Sequence, residues 1–184
     1  MRKLFASEWV SLDGVFDAGN MDQWFNPYHS DERMAYIQQM ILGSDAILFG
    51  RTTYEMLAPY WSTLKNNEMG VADQLNNVAK YVVSSTLKTA DWHNTTIIKD
   101  NVADAISKLK QQPGQDMHIE GSPALVQSLM PTGLIDEYRF LVHPAIAGNG
   151  KRFFKDGMDA TKLELVKTKT FSLGVVLLCY QPAK

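Results

Sequence analysis

Residues 45–57, DAILFGRTTYEML, set the tightest limit on how this chain folds. Residues 46–49 form a short apolar run of strand type, Gly50 and Arg51 make a tight turn, and Thr52 opens a helix. Thr52 and Glu55 stand at capping-box spacing, where the hydroxyl and the carboxylate each satisfy an unpaired backbone N–H of the first turn. A strand that passes through glycine into a helix N-terminus aims free N–H groups and the positive end of the helix dipole beyond the sheet, which suits an anion. Arg51 adds a permanent cationic fork shaped for phosphate. A plain βα turn with a surface arginine fits the same residues, so the choice rests on the rest of the chain.

A second unit of the same plan follows. Residues 117–119 read as a strand, Glu120-Gly121 as a turn, Ser122 as an N-cap and Pro123 as the first helical residue. Further strands are expected at 3–10, 81–83 and 95–99. One helix starts at Asp31 after the N-cap Ser30, buries Met34, Ile37, Met40 and Ile41, and stops at Gly43. Another follows Asp100-Asn101 and ends at Pro113-Gly114, and Pro59 is expected to stop the helix from Thr52 after about two turns. Residues 16–29 mix Gly19, Asn20 and Pro27 with Phe16, Trp24, Phe25 and Tyr28, and read as a long aromatic loop, either functional or a cover over a core edge.

Strands alternate with helices until about residue 136; then strands follow strands at 138–142, 163–169 and 175–180, the last two a hairpin around 171–174. The pattern predicts an α/β fold: a mainly parallel central sheet flanked by helices, with an antiparallel C-terminal hairpin. No linker or repeat interrupts residues 1–184, so one domain is expected. In such sheets ligands lie beyond the C-terminal strand ends. Gly50-Arg51-Thr52-Thr53, Ser84-Ser85 and Glu120-Gly121-Ser122 all follow strands, which favours the anion-site reading.

Composition narrows the partners. A net charge of −2 supplies no electrostatic case for nucleic acid or an anionic membrane surface. Cys179 is the single cysteine, which excludes an internal disulfide and a thiolate metal cluster. His29, His93, His118 and His143 show no ligand spacing, so no metal is expected. The N-terminal residues lack the apolar core of a signal peptide and no apolar run approaches membrane-spanning length, which points to the cytoplasm. Among chemical candidates, Asp31 and Glu32 serve either as acids or as dipole partners of a helix start, and Asp13 either as an acid or as a turn former before Gly14. Trp9, Trp24, Phe25 and Tyr28 either stack on a planar heterocycle or pack the interior.

Several motifs, in order, resemble known reductases. LFGRTTYEML resembles the cofactor-binding strand-turn-helix of dihydrofolate reductases, YVVSS the next strand with its serine pair, and IIKDNVADAI the following strand and helix. SLDGVFD and PAIAGNGKRFF are closer to the reductase domain of the riboflavin-biosynthesis deaminase-reductase proteins, and the chain is identified as a stand-alone member of that family with the dihydrofolate-reductase-like fold. The resemblance implies an NADPH-dependent reductase acting on a C=O or C=N bond of a small pyrimidine- or pterin-like substrate, related to 5-amino-6-(5-phosphoribosylamino)uracil reductase, and a homodimer. The alternative is an NADP-binding dimer with little or no catalysis.

By position, Gly50, Arg51, Thr52 and Thr53 would hold the pyrophosphate and part of the 2′-phosphate, with Ser84, Ser85 and Lys99 beside the ribose 2′-phosphate. Glu120, Gly121, Ser122 and Pro123 would approach the nicotinamide side, which Ala6 and the turn of Asp13, Gly14 and Val15 would border. Asp31 is the first choice of catalytic acid and Asp13 the second, with Trp9, Trp24 and Phe25 on the substrate. The departures also carry meaning. Ser85 stands where related domains often carry arginine, which weakens the implied NADPH preference. Three residues separate Trp24-Phe25-Asn26-Pro27 from Asp31, unlike dihydrofolate reductase proper. The zinc motif of a deaminase needs two nearby cysteines, so deamination is excluded.

Overall fold

The computed structural model describes residues 1–183. The strands are β1 (Leu4–Ser11), β2 (Ser44–Gly50), β3 (Ala79–Val83), β4 (Thr95–Ile98), β5 (Asp116–Glu120), β6 (Glu137–His143), β7 (Leu163–Thr170) and β8 (Val176–Pro182). They form one sheet in the order β4-β3-β2-β5-β1-β6-β8-β7. The helices are α1 (Met21–Trp24), α2 (Asp31–Leu42), α3 (Arg51–Trp61), α4 (Ala72–Asn77), α5 (Val102–Gln111) and α6 (Pro123–Leu129). β2 pairs in parallel with β3 and β5, and β3 with β4, whereas β8 pairs antiparallel with β6 and β7. This is the α/β architecture expected from the order of the segments.

The chain divides into two compact units, Met1–Ala6 with Ile37–Ile135, and Ser7–Tyr36 with the residues from Asp136 onward. In the first unit, residues 46–49 of β2 and Met117 and Ile119 of β5 are almost wholly buried, as parallel strands covered on both faces must be. Register aligns the strand ends. Gly50 stands opposite Val83, Val83 opposite Ile98, and Leu48 opposite Ile119. The turns that follow these four strands therefore lie side by side at one end.

Two local expectations fail here. α3 begins at Arg51 with Gly50 as its N-cap and no side-chain cap. Glu55 pairs with Arg51 at 2.8 Å, one helical turn away, so the capping box does not form. α3 also continues through Pro59 to Trp61, closed by the Ser62 N–H on the Ala58 carbonyl and the Thr63 hydroxyl on the Tyr60 carbonyl. Proline near a helix end removes only a bond that the fraying last turn can spare.

In the second unit, residues 16–29 are not an open loop. They fold as a 3-10 turn (Ala18–Asn20), α1 and another 3-10 turn (Asn26–Tyr28). The Asp17 carboxylate accepts the Gly19 N–H, the buried Trp24 indole donates to Asn20 Oδ1 at 2.9 Å, and Pro27 presets the second turn. Among the described residues β7 pairs only with β8 and, apart from Leu163, is exposed along its whole length.

Candidate functional site

The first unit brings together most of the expected phosphate ligands. The first N–H groups of α3 carry no side-chain cap, so they remain available to an anion. Arg51 is half exposed. Its Nη1 donates to Thr86 Oγ1 at 2.8 Å while its Nε engages Glu55. Ser84 is buried, and its Oγ accepts the N–H groups of Thr86 at 3.2 Å and Leu87 at 3.0 Å, which closes the turn after β3. Ser85, Thr86 and Lys99 are exposed at the ends of β3 and β4. Of the serine pair, Ser84 builds the turn and Ser85 faces outward. Thr86 was missed by sequence reasoning, although it completes a run of three hydroxyl residues.

A hydroxyl bridge ties the turns after β2 and β5. The Gly50 N–H donates to Ser122 Oγ at 2.7 Å, and that hydroxyl donates to Thr53 Oγ1 at 2.8 Å. Ser122 therefore does not cap α6, although it occupies the N-cap position, with a left-handed φ of 66°. A Cβ on Gly50 would meet Ser122 at 3.2 Å, and one on Gly121, at φ 56°, would meet Thr53 at 3.3 Å. A side chain at Gly50 would therefore press on Ser122, while at Gly121 the left-handed backbone itself favours glycine. Thr53 and Ser122 face each other and Thr52 is exposed. Ala6 is wholly buried in β1. Glu120 is largely shielded, with Oε2 3.6 Å from Nε2 of the buried His118. The donors exposed here suit phosphate oxygens, with Glu55 as the carboxylate beside Arg51.

In the second unit, Asp13 is a clamp. Its carboxylate accepts from Ser11 Oγ at 2.6 Å and from the N–H groups of Ala147 and Gly148, each at 3.0 Å, while Arg152 donates to its carbonyl. The Ser11 hydroxyl, followed by the two backbone donors, holds this carboxyl down at about 2. That opposes a proton-donor role. Gly14 takes φ 80° to complete the turn, and the buried Val15 bridges to Arg152. Asp31 is exposed at the first position of α2, and no hydrogen bond or ion pair engages it among the described residues. Its neighbour Glu32 pairs with Lys169 at 2.9 Å, which with the Ser172 N–H keeps its carboxyl below the ordinary range.

The aromatic residues of this unit converge on Arg33 and His143, which the sequence reading did not single out. Trp9 stacks on Phe25 at 4.8 Å, and Trp24, Phe25 and Tyr28 all contact the His143 ring. His143 is wholly buried, and burial pulls its pKa down to about 4, so the ring is neutral near pH 7.

Comparison with known proteins agrees with this architecture. The model of the RibD C-terminal domain family matches residues 2–177. The protein YyaP of Bacillus subtilis (strain 168), itself uncharacterized, is 34% identical over 183 residues, covering 97% of this chain and 94% of that protein. A pyrimidine reductase-like protein from Corynebacterium diphtheriae superposes with a TM-score of 0.70 at 14% identity, over 100% of this chain and 92% of that one. A diaminohydroxyphosphoribosylaminopyrimidine deaminase/5-amino-6-(5-phosphoribosylamino)uracil reductase from Thermotoga maritima superposes with a TM-score of 0.69 at 16% identity, over 99% of this chain but 57% of that longer one. Among the described residues no helix is long and apolar enough to cross a membrane. The family match spans nearly the whole chain, and this protein belongs to the RibD C-terminal domain family.

Proposed function

We propose that this protein is an NADPH-dependent reductase that acts on a C=O or C=N bond of a small pyrimidine- or pterin-like heterocycle. The observation that carries the reading is the side-by-side placement of the uncapped α3 N-terminus, Arg51, Ser85, Thr86 and Lys99 at the ends of β2, β3 and β4. When bound, the cofactor supplies the hydride from its nicotinamide ring. The chain's own part is binding: α3 N–H groups for the pyrophosphate, and the Arg51 fork with neighbouring hydroxyls for the 2′-phosphate. Membership of the RibD C-terminal domain family and the reductase named in the Thermotoga protein support the reaction class. A cytoplasmic homodimer joined through the C-terminal hairpin completes the reading, supported by the exposure of β7.

A titration of wild type and Arg51→Ala with NADPH and NADH tests it. Loss of a charge-assisted contact to phosphate is worth about 1.5 kcal/mol at an exposed site, so NADPH affinity should fall about tenfold while NADH affinity stays level. Failure of both cofactors to bind, or unchanged NADPH affinity in the variant, would sink the reading. A second reading, nucleotide binding without efficient catalysis, draws on the engaged carboxylate of Asp13 and the exposed position of Asp31. Stoichiometric NADPH binding with no oxidation on pterin, pyrimidine or flavin substrates would select it.

A further inference from the structure

Arg33 is wholly buried in the second unit. Its Nη1 lies 2.9 Å from His143 Nε2 and donates to the Phe25 carbonyl at 3.3 Å, and its guanidinium carbon sits 4.4 Å over the Phe25 ring. Among the described residues no carboxylate pairs with it, and Nε and Nη2 have no hydrogen-bond partner although both atoms are shielded from solvent. His143 offers no counter-charge. Its Nδ1 lies 3.1 Å from the Val10 carbonyl, which holds the ring proton there and leaves Nε2 to accept from Arg33. The rings of Trp24, Phe25 and Tyr28 pack around this neutral imidazole.

A buried guanidinium with two unpartnered nitrogens and no anion is a large unmet electrostatic demand. Nε and Nη2 are the adjacent pair on one edge of the group, the edge that grips a carboxylate or phosphate through two parallel hydrogen bonds. An enclosed water would accept from these donors without offsetting the charge. The 3-10 turn Asn26–Tyr28 follows directly on Phe25, whose ring and carbonyl Arg33 touches; Asn26 and Pro27 are exposed, Asn26 bonds Asp22, and the Tyr28 hydroxyl donates to the Pro144 carbonyl at 3.0 Å.

We propose that Arg33 is an oxyanion receptor, taking the carboxylate or phosphate group of a small ligand on its Nε/Nη2 edge once the turn of residues 26–28 opens. All its parts belong to the second unit.

The test uses the full chain as wild type, Arg33→Met and Arg33→Lys, with inorganic phosphate and benzoate as probes against sodium chloride at equal ionic strength. Thermal midpoint and tryptophan fluorescence are read together, since Trp9 and Trp24 border the site. At ten times the dissociation constant the wild-type midpoint should rise about 3–5 °C above the chloride control with phosphate or benzoate. Arg33→Lys should respond more weakly and Arg33→Met not at all. In anion-free buffer Arg33→Met should melt at or above the wild-type temperature, because an unpaired buried charge has been removed. The proposal is overturned if neither probe exceeds the chloride control in wild type, or if Arg33→Met responds like wild type. A large drop in the anion-free midpoint of Arg33→Met, with a flat wild-type titration, would assign Arg33 to holding His143 and the Phe25 carbonyl alone.

Discussion

Ser122 is the residue whose replacement speaks most directly to how the two glycine turns are held. It is 6% exposed, accepts the Gly50 N–H, donates to Thr53 and sits at φ 66°. Ser122→Ala removes both bonds and leaves the part-buried Gly50 N–H without its acceptor. A lost neutral hydrogen bond with an orphaned donor costs about 1–3 kcal/mol, and partial access of Gly50 to water places the value near 2 kcal/mol. For a chain of this length that is a fall in melting temperature of about 4–8 °C. Ser122→Gly loses the same hydroxyl but relieves a left-handed backbone that costs a residue with a Cβ about 1 kcal/mol, so it should recover roughly half of the loss. Guanidinium unfolding curves with matched slopes measure both. The reasoning fails if Ser122→Ala lies within about 0.5 kcal/mol of wild type, or if Ser122→Gly is the less stable of the two.

Two other outcomes are expected. Glu55→Gln should leave stability within about 0.5 kcal/mol, since Arg51 and Glu55 are 48% and 45% exposed, yet tighten NADPH about threefold with NADH unchanged, because the carboxylate competes with a 2′-phosphate for one guanidinium; isothermal titration decides it. Asp13 has a folded-state pKa depressed to about 2, below the usual carboxylate range, so the stability its clamp supplies is present above the unfolded pKa and lost as pH falls through the interval between the two. Asp13→Asn should flatten the acid limb of the stability profile between about pH 4 and pH 2, and an unaltered limb would remove Asp13 from the account.

The sheet was legible because its signals are local and consistent. β-branched and apolar runs, each closed by glycine or hydroxyl residues, mark β2, β3 and β5 without any tertiary knowledge, and alternation with helices predicts their parallel order. The side chains at the turns were less legible. Thr52 and Glu55 satisfy the spacing of a capping box, yet an N-cap two residues earlier, at Gly50, hands the carboxylate to Arg51. Ser122 has the identity and position of a cap, but its hydroxyl is taken by a glycine 72 residues away in sequence. Asp13 reads as either acid or turn former until residues 147 and 148 arrive from the far end of the chain. Partners at that separation leave no periodic trace.

Buried cations carry a trace that periodicity does record. Arg33 stands four residues before Ile37 and on the same face as Met40 and Ile41, all buried, so α2 has a charge on its apolar stripe. Lys80 likewise occupies an inward position of β3 alongside Val82. The two are resolved differently. Lys80 gives its three protons to the carbonyls of Leu75, Asn76 and Val78, where the end of α4 has acceptors to spare, and burial lowers its pKa to about 8. An ammonium so placed is a helix terminator, complete within the fold. Arg33 spends one nitrogen on a carbonyl and a neutral ring and leaves two unspent. Where one buried cation is fully satisfied by the backbone and the other is not, architecture explains the first, and the second calls for an anion from outside the chain.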